Sequence, residues 1–306
     1  MPNPPPNAPE RPALAGLLLV DKAQGWTSHD VVAKARGLTR QRRIGHTGTL
    51  DPMATGLLVL CLGTATRLAE YLSGHGKRYD GVVTLGAATD TDDAEGSVIG
   101  TAPVPSISDA ILRKLEREFT GHLQQVPPAY SAVKKDGERA YAVARRGGAV
   151  ELAPRDVIVD RLQLSLLDDA HLSISVDCGA GTYIRSLARD IGASLLCGGY
   201  LSALRRTGAG HFGVKDAVTI EELAMIAEAG LVAELLLSAD EGMLSPDAAI
   251  LGEEHARALE YGQQVPVDAS RQGSIIRVYD ESGAFVAVAS VDADHTLRPV
   301  KVFSPG

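Results

Sequence analysis

Apolar and polar positions along this chain switch between unbroken apolar runs, strict alternation and helical spacing, and each switch marks an element. Leu17 to Val20 is an apolar run closed by Asp21 and Lys22, as a buried strand is, and Thr27-Ser28-His29-Asp30 then offers a cap for a helix running to about Gly37. A Gly/Thr/Pro-rich loop from Gly45 to Gly56 leads into Leu57 to Leu62, a second run of strand length, and Gly63-Thr64-Ala65-Thr66 opens a helix through Leu72. Tyr79 to Leu85 reads as a strand, followed by an acidic loop from Ala88 to Gly96. Ser106-x-x-Asp109 predicts a capped helix with Ile111, Leu112, Leu115 and Phe119 on one face, stopped by Gly121. The stretch from Gln124 to Arg155 is polar, basic and broken by Pro127-Pro128 and Gly147-Gly148, which predicts a long excursion from the core. Val157 to Leu166 and Leu172 to Val176 alternate as two strands joined through Asp168-Asp169, and Tyr183 to Leu196 has the period of a helix with Ile184, Leu187, Ala188 and Ile191 on one face. Thr219-x-x-Glu222 opens another helix. Beyond about Pro246 the pattern becomes short β runs, at Ile275 to Tyr279, Ala284 to Val291 and Arg298 to Phe303, which predict a small β-rich domain.

A chain of 306 residues is long enough for one large domain and this small one. The division expected is a proline-rich leader at 1–13, unable to bury apolar surface, then a large domain at 14–245 with the insertion at about 124–155, then 246–306. The fold class expected is α+β. No apolar stretch approaches the ~20 residues of a membrane span, and Cys61, Cys178 and Cys197 form no metal-like or redox pair, so a reduced, cytoplasmic setting is expected. A formal charge of −8 argues against nucleic acid when taken alone. Its distribution argues otherwise. Lys34, Arg36, Arg40, Arg42 and Arg43 form a run without an acid, and Lys134, Lys135, Arg139, Arg145 and Arg146 form a second, although solvated faces would read the same way.

Candidate chemistry concentrates in Gly45-His46-Thr47-Gly48-Thr49-Leu50-Asp51-Pro52-Met53-Ala54-Thr55-Gly56, where one carboxylate stands among three glycines and a proline. Pro52 disfavours the helical region for Asp51, and glycines permit close approach of a ligand or another backbone segment. A carboxylate so held can serve as nucleophile or base; a structural Asx-turn fits the same residues.

The same segment, GHTGTLDPMATGLL, closely resembles the catalytic motif of the TruB family of pseudouridine synthases. Collinear support comes from DKAQGWTSHDVV at 21–32, KRY at 77–79, LGAATDTDDAEG at 85–96, PPAYSAVKKDGERAY at 127–141, GTYIRSLARDIG at 181–192 and LRRTGAG at 204–210. The resemblance implies a largely antiparallel mixed sheet with flanking helices, an RNA-binding insertion and a small C-terminal PUA-like domain. It implies conversion of the T-loop uridine of tRNA to pseudouridine by a base-flipping enzyme that uses no cofactor or metal. Asp51 matches the catalytic carboxylate, Tyr79 the aromatic residue that stacks on the base, and Arg185 the arginine paired with that carboxylate. His46 matches a residue supporting the splayed loop, and Tyr183 and Leu204 match the uridine pocket. Lys22, Arg40 to Arg43, the insertion from Lys134 to Arg146, and Arg205-Arg206 are the further residues expected to meet the RNA. On residue type alone, Tyr79 fits a core tyrosine, Arg185 a surface arginine and His46 a structural histidine.

Ala23 and Trp26 depart from the family's usual residues, and the tail from 241 to 306 holds ten acidic against five basic residues, a poor match to phosphate. The bacterial style of the motif implies a monomer acting on free tRNA, without guide RNA or membrane. Two other readings use the same residues. A metal-dependent hydrolase would draw on Asp90, Asp92, Asp93 and His46, but no metal-binding spacing supports it. A non-catalytic tRNA-binding or folding protein would need only the basic surfaces.

Overall fold

The computed structural model describes residues 14–303 except 132, 136, 147, 149–150, 244, 246 and 268–272, so the expected leader lies outside the described residues. The first part of the chain builds β1 (Gly16–Lys22), α1 (Ser28–Thr39), β2 (Ile44–His46), β3 (Thr55–Leu62), α2 (Ala69–Ser73), β4 (Lys77–Leu85), β5 (Ala87–Thr89), β6 (Val98–Thr101), α3 (Asp109–Glu118) and β7 (Gly121–Gln125). The excursion after β7 carries β8 (Lys134–Lys135), β9 (Glu138–Arg139) and α4 (Ala140–Arg145). The chain then returns through β10 (Arg155–Asp168), β11 (His171–Cys178), α5 (Ile184–Ser194), β12 (Gly199–Ala209), β13 (Phe212–Gly213) and α6 (Ile220–Glu228). Past that lie β14 (Ala248–Leu251), α7 (Glu253–Glu260), β15 (Val265–Pro266), β16 (Ile275–Asp280), β17 (Phe285–Val291) and β18 (Thr296–Val302).

The class is α+β. One nine-stranded sheet runs β1-β3-β12-β4-β11-β10-β7, with β2 and β13 pairing beside β3 and β12. All its pairings are antiparallel except that of β3 with β12, a parallel contact made through only Arg205↔Thr55 and Arg206↔Gly56. The unbroken apolar run of β3 explains its place. Leu57, Leu58, Leu60, Cys61 and Leu62 have no accessible surface, because β3 faces one core through Leu57 and Cys61 and another through Leu58 and Leu60. Each fully buried leucine contributes about 2 kcal/mol. The second sheet, β14-β16-β17-β18-β15, forms the C-terminal β-rich domain. Val288 and Phe303 from it lie in the same core as Leu17, Leu68, Leu72, Phe212 and Met243 of the large domain.

Three sequence expectations need correction. The helix expected to be capped at Ser106 begins two residues later, with Ser108 as its N-cap, and Gly121 starts β7 after the helix has ended at Glu118. The stretch from Gly63 to Leu72 is first a 3₁₀ helix, over Gly63–Leu68, and only then α2. Glycine freedom within the Asp51 segment is needed at one position alone. Gly56 has φ +99°, and a Cβ there would sit 2.3 Å from the Arg206 carbonyl oxygen, whereas nothing crowds Gly45 and the nearest atom to a Cβ at Gly48 is 3.6 Å away.

Candidate active site

Asp51 lies in the loop between β2 and β3, and this loop is fastened from three sides. From β12, Arg206 donates to the carbonyls of Gly48 (3.0 Å), Thr49 (3.4 Å) and Leu57 (2.6 Å). From the start of α1, the Ser28 hydroxyl accepts from the Leu50 amide (2.8 Å) and donates to the Leu50 carbonyl (3.2 Å). From the end of β1, the Lys22 ammonium donates to the carbonyls of Pro52, Trp26 and Ala23, while the Gly25 amide donates to Pro52. The Ala54 amide closes a turn on the Asp51 carbonyl. Such fastening holds a carboxylate in place without relying on the carboxylate's own bonds.

The Asp51 side chain is 37% exposed and faces Arg185, whose side chain is 7% exposed. Arg185 Nη2 donates to Oδ1 at 3.4 Å, and Nε lies 3.0 Å from Oδ2 without its hydrogen being aimed there, so that second contact is Coulombic. The guanidinium is itself locked. Nη1 donates to the Thr91 carbonyl (3.0 Å) and to Asp93 Oδ2 (3.2 Å), and Nη2 donates to the Tyr130 carbonyl (2.9 Å). Asp93 is buried, and its other oxygen accepts from the Thr91 hydroxyl (2.6 Å) and the Glu95 amide (3.0 Å). Next to this pair, Arg189 holds Asp92 at 2.8 Å. Burial pushes the Asp51 carboxyl above the usual carboxylate range, and the nearby Asp93 charge adds to it; Arg185 and Lys22 pull the other way without cancelling the rise.

Helix α5 delivers Arg185 from its first turn. The residue before the helix, Tyr183, is held by Gln125, whose side chain accepts from the Tyr183 amide (2.8 Å) and donates to its carbonyl (3.0 Å). Gly192 lets α5 lie directly on β12, since a Cβ there would meet the Gly199 nitrogen at 2.2 Å. Tyr79 stands on β4, opposite Arg206 in the β4–β12 ladder. Burial raises its phenol, and the charges of Arg206 and Asp51 both act on it. Tyr183 likewise feels Arg185 and Asp51. Leu204 and Tyr79 pack against both cores that meet beneath the loop.

The structure therefore brings Asp51, Arg185, Tyr79, Tyr183 and Leu204 around one place. Lys22 has no accessible surface and its ammonium is occupied by carbonyls, so it braces the loop. Arg205 is paired with Asp21 at 2.6 Å. His46 sits edge-on to His29 with ring centroids 5.8 Å apart, and its buried Nδ1 has no hydrogen-bond partner. Arg43 is exposed, and the side chain of Lys134 lies outside the described residues. Sequence reasoning placed Arg206 among the RNA contacts, whereas it is buried, weighed Asp93 only as a metal ligand, and missed Ser28 and Gln125. Asp93 carried a signal in the matched stretch 85–96, and Arg206 one in 204–210; the other two carried none. Among the described residues, no cluster of three or more potential ligands could hold a metal ion.

The fold belongs to an α+β class shared with solved chains of low sequence identity. The chain superposes on one from a Cbf5-Nop10-Gar1 complex with a TM-score of 0.73 at 23% identity, over 95% of this chain and 86% of that one. A chain from an H/ACA RNP bound to a substrate RNA containing 2′-deoxyuridine gives 0.72 at 20% identity, over 98% and 93%. Family models narrow the class: the TruB family pseudouridylate synthase N-terminal domain matches residues 36–184, the tRNA pseudouridylate synthase B C-terminal domain 185–243, and the pseudouridine synthase II TruB C-terminal region 248–303. The chain is 41% identical over 292 residues to tRNA pseudouridine synthase B of Xanthomonas campestris pv. campestris (strain B100), covering 95% of this chain and 94% of that protein. It is 40% identical to the protein of the same name from Pseudomonas fluorescens, over 94% of each. This chain belongs to the TruB family of pseudouridine synthases.

Proposed function

We propose that this chain isomerises a uridine in the T-loop of tRNA, at tRNA position 55, to pseudouridine, with Asp51 as the catalytic carboxylate. The observation that carries the reading is the combination at Asp51: a side chain open to solvent on a loop fastened from three sides, facing a buried arginine. The reaction rearranges bonds within one substrate. The C1′–N1 bond breaks, a C1′–C5 bond forms, C5 gives up a proton and N1 gains one, so no electrons enter or leave and no cofactor is required. Asp51 acts on the flipped nucleotide, Arg185 keeps it ionised and oriented, and Tyr79 stacks on the base and helps move the C5 proton. Tyr183 and Leu204 line the uridine pocket. His46 supports the splayed loop.

Extruding a base costs a few kcal/mol, offset by stacking and by contacts to the phosphates. Lys34, Arg40, Arg42 and Arg43 are exposed and free to make such contacts, joined by Arg205 and by the insertion with Lys134. The unit at 14–245 does the chemistry and 246–306 is an appended domain. Free tRNA, met by a single copy of the chain without guide RNA, is favoured because relatives named tRNA pseudouridine synthase B align end to end at 40–41% identity.

Asp51→Asn is expected to abolish isomerisation while leaving tRNA affinity within about tenfold, because affinity resides in phosphate contacts away from the carboxylate. Incubating pure protein with unmodified tRNA transcript and mapping pseudouridine chemically tests this. Turnover by the substituted protein near that of the natural one would refute the assignment.

A further inference from the structure

We propose that Arg206 is a positioning residue for the isomerisation: from β12 it fixes the loop bearing Asp51 against the strand bearing Tyr79. The inference rests on the assignment of Asp51 and Tyr79 as the groups that meet the uridine.

Arg206 is 2% exposed, and a guanidinium is expensive to dehydrate. Its guanidinium donates to three main-chain carbonyls, two of them, Gly48 and Thr49, only two or three residues before Asp51, and also meets the Tyr79 phenol. An apolar side chain could fill the same volume more cheaply, so this buried charge is spent on geometry. Strand placement supplies the second half of the link. Arg206 pairs with Tyr79 of β4 on one side and with Gly56 of β3 on the other, which makes it the residue standing between phenol and carboxylate loop. The backbones also meet tightly there, since Gly56 approaches Arg206 too closely for any Cβ. The β4–β12 register then slips between Arg206 and Gly208, a bulge of the kind that re-aims a side chain beside a reactive site. A planar fork suits this work, because it holds separate carbonyls in one rigid group, whereas the donors of an ammonium swivel at the end of a flexible stem. The charge of Arg206 acts on Tyr79, Lys22, Lys77 and His46 rather than on Asp51, whose balance is set by Arg185, Asp93 and Lys22.

The test uses the full chain with R206K and R206Q, measuring the single-turnover rate on unmodified tRNA transcript, tRNA affinity, melting temperature and the pH–rate profile. Loss of alignment by about an ångström costs about 100-fold in rate. R206Q is therefore expected to fall by about that factor, and R206K, which keeps the charge but not the fork, to recover roughly tenfold of the loss. Both should bind tRNA within about threefold of the natural chain. The acid limb of the profile should stay in place. If R206Q fails to fold, R206K carries the test: a folded protein with a tenfold slower step supports the inference, and one at the natural rate overturns it. A rate loss explained by weaker tRNA binding, or an acid limb that moves, also overturns it. Asp51→Asn runs alongside; if that variant is active the underlying assignment has failed, and if it is dead while R206Q is fast only this inference has.

Discussion

At Asp51, burial and ion pairing act in opposite directions, and the balance leaves the carboxyl with a raised pKa. The sign matters for activity. A carboxyl raised above its ordinary value gains its proton earlier as pH falls, so the acid limb of the rate profile should lie above the ordinary carboxylate range. Arg185 is the leading influence in the other direction. Arg185→Met should therefore move that limb to higher pH, and a limb that stays put or moves down would contradict the pairing. The same substitution strips Asp93, which is 3% exposed, of its cation, at a cost of about 3 kcal/mol that thermal melts would reveal. Some residue placements could be read from the chain and some could not. That Asp51 faces Arg185 was legible because the motifs of both are long and local. The burial of Lys22 was not legible, because the β1 terminus, Trp26 and Pro52 turn their carbonyls onto it only in the folded chain.

Helix α5 is the element on which Arg185 depends, and its seat on β12 is made by the Gly192–Gly199 contact. Gly192→Ala places a methyl against backbone that has no side chain to move aside. About 2 kcal/mol of stability should be lost, and turnover should fall as the helix carrying Arg185 is lifted. Melting and single-turnover rates measured on one preparation would check both; unchanged values in each would show that the helix sits elsewhere. Elements with pure patterns were legible in the sequence: β3 from its unbroken leucines, β10 and β11 from alternation, α5 from its apolar face. β12 was not, although it is central to the large sheet. Its run of Leu204, Arg205, Arg206, Thr207 and Gly208 looks like surface, yet Arg206 is absorbed by the Asp51 loop and Arg205 pairs with Asp21 while staying partly exposed. β7 was hidden in the same way, its polar residues sitting on the strand that ends the sheet. The cap of α3 was displaced because Ser106 and Ser108 offer the same chemistry two residues apart, and sequence alone does not rank them.

For the whole molecule, the C-terminal sheet is joined to the large domain by shared core as well as by polar ties. Phe303 stacks on Phe285 at 4.8 Å and lies with Leu17, Leu68 and Phe212; Lys301 pairs with Glu70 at 2.9 Å, and Arg67 donates to the Val302 carbonyl. Because neither part can leave without exposing the other's apolar surface, calorimetry should show one unfolding transition. A separate earlier transition from the tail would show that the shared core contributes little.

The parallel seam between β3 and β12 spans two residue pairs, while the ladder on one side of it has seven and that on the other nine. Like a zip with most of its teeth missing, it is where tension across the strands would part the sheet. The tear would run between the half that carries the carboxylate and the half that carries the phenol. A stretched molecule would thus part Asp51 from Tyr79 while nearly all of its architecture was still standing.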